Sequence, residues 1–196
     1  MLYHVKQNDY RRLLSDRDLS AIKKAEIFSL FSRINTLYMI AKAGSGHIGT
    51  SFSSIDIFSW LHLNVLTEED LFFSSKGHDA PGLYSVLMGI EKIEYEYLNQ
   101  LRRLNGLPGH PDVTTTPCMV TNTGSLGMGV SKAKGLVKAN RLDGKSGRVY
   151  VLTGDGELQE GQFWESLPGA VNDKCEEITV IIDHNKIQSD TWVENV

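Results

Sequence analysis

The chain has 196 residues, 41% of them hydrophobic and 22% charged, with a formal net charge of −4. That length can bury one substantial core, and the balance is that of a globular domain rather than a disordered chain. The acidic balance without a basic run argues against a general nucleic-acid surface, no apolar stretch reaches membrane-spanning length, and MLYHVKQNDYRR is not a signal peptide.

Residues 1–15 are polar and read as a loosely held N-terminal arm, leaving 16–196 as one domain. From Asp16 to Ala43, Ile22, Ile27, Leu30, Ile34, Leu37 and Ile40 predict one apolar helical face, capped by Asp16 and ended by Gly44. A second helix is predicted from Ser54 to about Val65, then a short strand at Leu71–Ser74. Helices follow near 80–90 and 95–104. Residues 105–123, with Pro108, Gly109, Pro111 and Pro117, read as loop before a helix over about 126–142.

The next segment is the most informative. Residues 148–153 and 177–183 read as buried strands, joined by a helical stretch at 157–172 whose apolar positions are Leu158, Phe163, Trp164, Leu167 and Val171. Gly154-Asp155-Gly156 turns out of the first strand, and Asn185 follows the end of the second. This is a β-α-β unit with an oxygen ligand at each strand end, the edge where open α/β sheets bind ligands. A carboxylate and an amide oxygen suit Mg²⁺ or Ca²⁺, which share their shell with water and phosphate. The flanking glycines and a helix starting near Glu157 favour a metal-bridged diphosphate. The letters Gly44-x-Gly46-x-x-Gly49 match a dinucleotide fingerprint, but they follow a helix instead of a strand, so that reading is rejected. His47, His78 and His110 each follow a glycine in separate segments, and they are expected to converge on one site as proton-moving groups.

Together these segments resemble the transketolase family of thiamin diphosphate enzymes, particularly the N-terminal subunits of two-gene transketolases. The segments are Gly44-Ser45-Gly46-His47-Ile48-Gly49, Ser75-Lys76-Gly77-His78, Pro108-Gly109-His110-Pro111, Thr123-Gly124-Ser125-Leu126-Gly127, GDGELQEGQFW from Gly154, and Asp183-His184-Asn185-Lys186. They fall in family order over about 20–195. The resemblance implies an α/β thiamin diphosphate-binding fold, a mostly parallel sheet flanked by helices. Three strands are fewer than such a sheet carries, so the domain is expected to be C-terminally incomplete.

The resemblance also implies roles. Residues matching His47 and His110 lie near the donor sugar's oxygens, and the one matching His78 lies between the diphosphate and the reacting carbon. Gly124, Ser125 and Leu126 would line the cofactor, with Gly154, Gly156 and Glu157 in the cofactor-binding set. Asp155, Asn185 and the carbonyl of Ile187 would hold the metal. Glu160 matches a segment near the family's dimer interface. Met128 stands where many relatives have Gln, and His184 where others have Asp, Arg or Asn. The implied reaction is transfer of a two-carbon ketol unit from a ketose to an aldose, usually phosphorylated sugars. It also requires a Glu on a separate pyrimidine-binding domain, for which 16–196 has no room. The chain alone is therefore expected to be inactive, and to work in a dimer or heterotetramer with a C-terminal transketolase partner. Two alternatives stand beside this reading: a 1-deoxyxylulose-5-phosphate synthase-like enzyme and a non-catalytic interaction module of the same fold. Cys118 and Cys175 show no metal spacing and read as reduced thiols of a cytoplasmic protein.

Overall fold

A computed structural model of the chain describes residues 2–188 and 191–195. The chain divides into two compact units, residues 1–65 with 78–119, and residues 66–77 with 120–196.

The first unit is helical. Helices α1 (Gln7–Ser15), α2 (Ala21–Ala43), α3 (Ile48–Trp60) and α4 (Ala80–Gly89) pack together, and one π-helical turn, Leu61–Val65, extends α3. The segment expected to be a loose arm is therefore corrected: α1 buries Tyr10 and Leu13. Asn35 explains the docking, because its amide donates to the Tyr95 hydroxyl (2.9 Å), the Tyr10 hydroxyl (3.2 Å) and the Val5 carbonyl (3.3 Å), while its oxygen accepts the Val5 N–H (2.8 Å). A buried amide satisfied on both sides fixes the chain that feeds it.

Helix α2 begins later than expected, since Ser20 accepts the Lys23 N–H as cap and Asp16 instead accepts the Asp18 N–H. It ends at Gly44, as predicted, in a left-handed turn with φ 70° and its N–H on the Ile40 carbonyl. Its buried face is not the predicted one, of which only Ile27 and Ile40 are half-buried. Ala25, Phe28, Ser29, Ser32, Asn35, Thr36 and Met39 face inward, while Ile22, Leu30, Ile34 and Leu37 are exposed. Small residues let α3 and α4 approach closely; a Cβ on Gly82 would lie 3.0 Å from the Ser51 carbonyl. Helix α3 starts six residues before the predicted Ser54, which places His47 at its N-cap. The helix expected over 95–104 is only a 3-10 turn, Tyr95–Asn99. Arg102 and Asn105 take positive φ, and the Arg102 N–H reaches the Leu107 carbonyl, so the chain turns back there.

The second unit holds a parallel sheet of β1 (Leu71–Ser74), β2 (Val149–Gly154) and β3 (Ile178–Asp183) in that spatial order. Leu71, Val149 and Ile178 are in register, as are Phe73, Val151 and Val180. On the Phe73–Val149–Val151 face, Ala133 and Val137 of α5 (Gly129–Leu142) complete a buried cluster with Cys175, and Ala170 of α6 (Gly161–Asn172) packs against it. The α/β class and parallel sheet are as expected. The 157–172 helix is not continuous: a 3-10 turn, Gly156–Gln159, precedes α6. Phe163 and Ser166 are its buried residues, whereas Trp164 and Val171 of the predicted apolar face are exposed. A short antiparallel pair, β4 (Ile187–Gln188) and β5 (Thr191–Trp192), follows β3. Both cysteines are free thiols. Among the described residues no helix is long and apolar enough to cross a membrane.

Candidate functional site

The carboxyl edge of the sheet in the second unit brings Asp155 and residues 185–187 together. Register pairs Gly154 with Asp183, and the Asp155 N–H reaches the Asp183 carbonyl at 3.3 Å. Beyond it the chain folds back, because the Lys186 N–H donates to Asp155 Oδ2 at 2.6 Å. Lys186 has φ 65°, an uncommon conformation for a residue with a side chain. Asn185 Oδ1 accepts the Ile187 N–H at 3.0 Å, and Asp155 Oδ1 accepts the Gly156 N–H at 2.9 Å. His184 Nε2 stands 4.0 Å from Asp155 Oδ2. A single buried carboxylate thus organises the turn that carries Asn185 and Ile187.

The donor set at this edge is one carboxylate, one amide oxygen and main-chain carbonyls, all hard oxygen donors. It fits an Mg²⁺ or Ca²⁺ ion that shares its shell with phosphate. Among the described residues, no group of three or more His, Cys, Asp or Glu side chains is placed to hold a metal ion, so the side-chain donors at this edge are Asp155 and Asn185 alone. Next to the edge, His184, Lys186, Trp192, Val193 and Glu194 line an open cleft of about 400 Å³.

Two expectations about this edge change. The flanking glycines make room for the protein's own side chains: a Cβ on Gly154 would lie 3.1 Å from Lys76 Cδ, and one on Gly156 would lie 2.6 Å from Gln188 Oε1 and 2.7 Å from Gln188 Cβ. The helical turn that starts at Gly156 is a 3-10 turn with Asp155 as its N-cap, and α6 itself begins only at Gly161, so no α-helix N-terminus stands at Glu157. The Glu157 carboxylate instead turns inward and is buried, accepting hydrogen bonds from Ser75, Gly127, Thr153 and Gly154. Gly127 has a φ of 77° that only glycine adopts readily, and α5 starts after it at Gly129, three residues later than predicted. Ser125 and Leu126 remain exposed in the loop before it.

One pair at this edge has no role assigned by the sequence motifs that contain it. Lys76 Nζ lies 2.7 Å from Asp183 Oδ2, with both side chains buried. Its signal in the sequence is a lysine just past one strand end and an acid closing another.

Within the first unit, the three glycine-led histidines come together. The His47 and His78 rings meet edge to face with centroids 5.5 Å apart. Burial lowers the His110 pKa, the charges of His47 and Arg102 lower it further, and Asp79 opposes them. The Tyr84 hydroxyl donates to the Pro108 carbonyl at 3.1 Å and holds the loop that carries His110. Arg102 Nη1 donates to Ser45 Oγ at 2.6 Å, joining that loop to the one that carries His47. Asp79, fully buried, accepts from Ser54 Oγ at 3.3 Å.

Comparison with known proteins shows the family. Residues 26–196 match the family model described as the transketolase thiamine diphosphate-binding domain. The chain is 38% identical over 153 residues to one of the subunits of apulose-4-phosphate transketolase from Actinobacillus succinogenes, covering 73% of this chain and 55% of that one. It is 33% identical over 171 residues to a 6-deoxy-6-sulfo-D-fructose transketolase subunit of a Clostridium species, covering 82% and 62%. It is 36% identical over 170 residues to human transketolase, covering 81% and 27%. The solved transketolase of Leishmania mexicana superposes with a TM-score of 0.75 at 27% identity, over 87% of this chain and 28% of that one. The chain belongs to the transketolase family, within its thiamine diphosphate-binding domain. It spans 55% to 62% of the two subunit relatives and about a quarter of the human enzyme.

Proposed function

We propose that this chain supplies the diphosphate-anchoring part of an enzyme that transfers a two-carbon ketol unit from a ketose to an aldose. The observation that carries the proposal is the Lys186 N–H bond to Asp155 Oδ2, which gathers Asp155, Asn185 and Ile187 at one sheet edge. Asp155, the Asn185 amide oxygen and the Ile187 carbonyl would hold Mg²⁺ or Ca²⁺ beside the diphosphate. The Gly124–Leu126 loop would line the cofactor. Bound thiamin diphosphate supplies the carbon nucleophile and electron sink that carbon–carbon cleavage needs.

His47, His78 and His110 would move protons at the sugar's hydroxyl and carbonyl oxygens. The downward shift of His110 favours its neutral ring, which can both donate and accept. Two relatives are named for sugars that carry a phosphate or a sulfonate, which supports an anionic sugar as substrate. The same relatives are named as subunits, which supports a C-terminal, pyrimidine-binding partner in a dimer or heterotetramer.

The test is a ketol-transfer assay of the purified chain with thiamin diphosphate and Mg²⁺, with and without a C-terminal transketolase partner. No transfer is expected from the chain alone, and turnover is expected with the partner. Robust activity unaided would contradict the partner requirement; none in either arm would contradict the function.

A further inference from the structure

We infer that Glu157 is a positioning residue that sets the path of the Gly124–Gly127 loop and of the GDG turn at once, without meeting the ligand itself. Its Oε1 accepts the Gly127 N–H at 2.8 Å and the Ser75 hydroxyl at 2.5 Å. Its Oε2 accepts the Thr153 hydroxyl at 2.8 Å and the Gly154 N–H at 3.4 Å. Four donors thus reach one carboxylate from three places: the segment after β1, the loop before α5, and the end of β2. The side chain is 3% exposed, so no water substitutes for a lost partner at low cost.

The chemistry requires an acid. A carboxylate accepts at both oxygens, whereas a glutamine amide would turn its NH₂ group towards two donors. The loop is pinned at both ends: Gly124 donates its N–H to the Ser75 carbonyl at 3.4 Å, and Gly127 donates to Glu157. A Cβ on Gly127 would lie 2.7 Å from Glu160 Cβ, so the loop also lies tight against the turn that follows Asp155. Only Ser125 and Leu126, between the pins, are presented outward. A carboxylate behind the loop therefore decides where those two residues stand relative to Asp155.

This inference rests on the reading of that loop and edge as the thiamin diphosphate anchor. The experiment compares wild type, Glu157→Gln and Thr153→Val, each as the full chain with its C-terminal partner. It measures thiamin diphosphate affinity with Mg²⁺ by calorimetry, and amide exchange over 124–127 in cofactor-free chain. Thr153→Val removes a hydroxyl from the same carboxylate but spares Gly127, so it reports the structural share of the role. Glu157→Gln is expected to weaken cofactor binding about tenfold or more and to speed exchange at Gly127. Thr153→Val is expected to lower the melting temperature with affinity kept within about threefold. If Glu157→Gln does not fold, Glu157→Asp retains the charge on a shorter arm and is expected to show the same loss. Unchanged affinity and exchange in the folded Glu157 variants, or parallel losses in Thr153→Val, would overturn the inference while leaving the functional reading intact. A wild-type chain that binds no cofactor beside its partner would overturn both.

Discussion

The ammonium of Lys76 sits 2.7 Å from Asp183 Oδ2, and neither side chain is more than a few per cent exposed. Lys76 follows β1 and Asp183 closes β3, so the pair bridges the outer strands at the edge where β2 ends between them. The lysine stem passes Gly154, which has no Cβ to obstruct it. Two residues beyond Asp183 comes Asn185, so the bridge holds the backbone that leads into the proposed cation site.

Removing the cation leaves a buried carboxylate without its charge partner. Lys76→Met is expected to cost about 3–5 kcal/mol, the range for breaking one side of a buried pair. The double variant Lys76→Met/Asp183→Asn is expected to cost less than the sum of the two single changes, because no lone charge remains. Urea unfolding of the three variants measures this; strict additivity would mean that the pair does not act as a unit.

Docking of α1 depends on a missing methyl group. A Cβ at Gly89 would lie 2.6 Å from Tyr10 Cε1 and 2.7 Å from Phe28 Cζ. The rings of Tyr10 and Phe28 meet edge to face in this position. Gly89→Ala is expected to destabilise the chain by about 1–3 kcal/mol, as overpacking does. It should also expose the Arg11–Arg12 bonds to trypsin. Wild-type stability and trypsin resistance in this variant would contradict the packing account.

His62, in the π-helical turn after α3, gives the chain an acid-side stability slope. Burial pushes its imidazole down to about 4, and the charge of Lys92 adds to the effect. In the unfolded chain it titrates near 6.5. Between these values the unfolded state binds more protons, so stability falls as pH drops from about 6.5 to about 4 and levels off below. Urea midpoints taken across that window should show a shallower slope in His62→Gln than in wild type. An identical slope would show that His62 does not contribute.

Much of the second unit was legible in the sequence, because its strands are continuous apolar runs and its ligand-type residues fall directly after them. The strands Val149–Gly154 and Ile178–Asp183, read at 148–153 and 177–183, follow from pattern alone. The interior of the turn was not. Acidic residues in a first helical turn usually face water, and nothing local marks that Glu157 turns inward to donors from residues 75, 127 and 153. The face of α2 was misread for a related reason. Ser29 and Thr36 are buried with their hydroxyls on carbonyls one turn back in the helix and Asn35 through the distant Tyr95, while Ile22, Leu30, Ile34 and Leu37 are left outside. The gathering of His47, His78 and His110 was expected from the motifs, but the groups that hold their loops, Tyr84, Arg102 and Ser45, have no role that those motifs name.

The role proposed for the Asp155 edge is to anchor a metal-bridged diphosphate. Calorimetric titration of thiamin diphosphate into the chain with its C-terminal partner, with and without Mg²⁺, tests this most directly. Saturable, metal-dependent binding at one site per chain is expected, abolished in Asp155→Ala. Absence of binding by wild type beside its partner, or undiminished binding by Asp155→Ala, would contradict it.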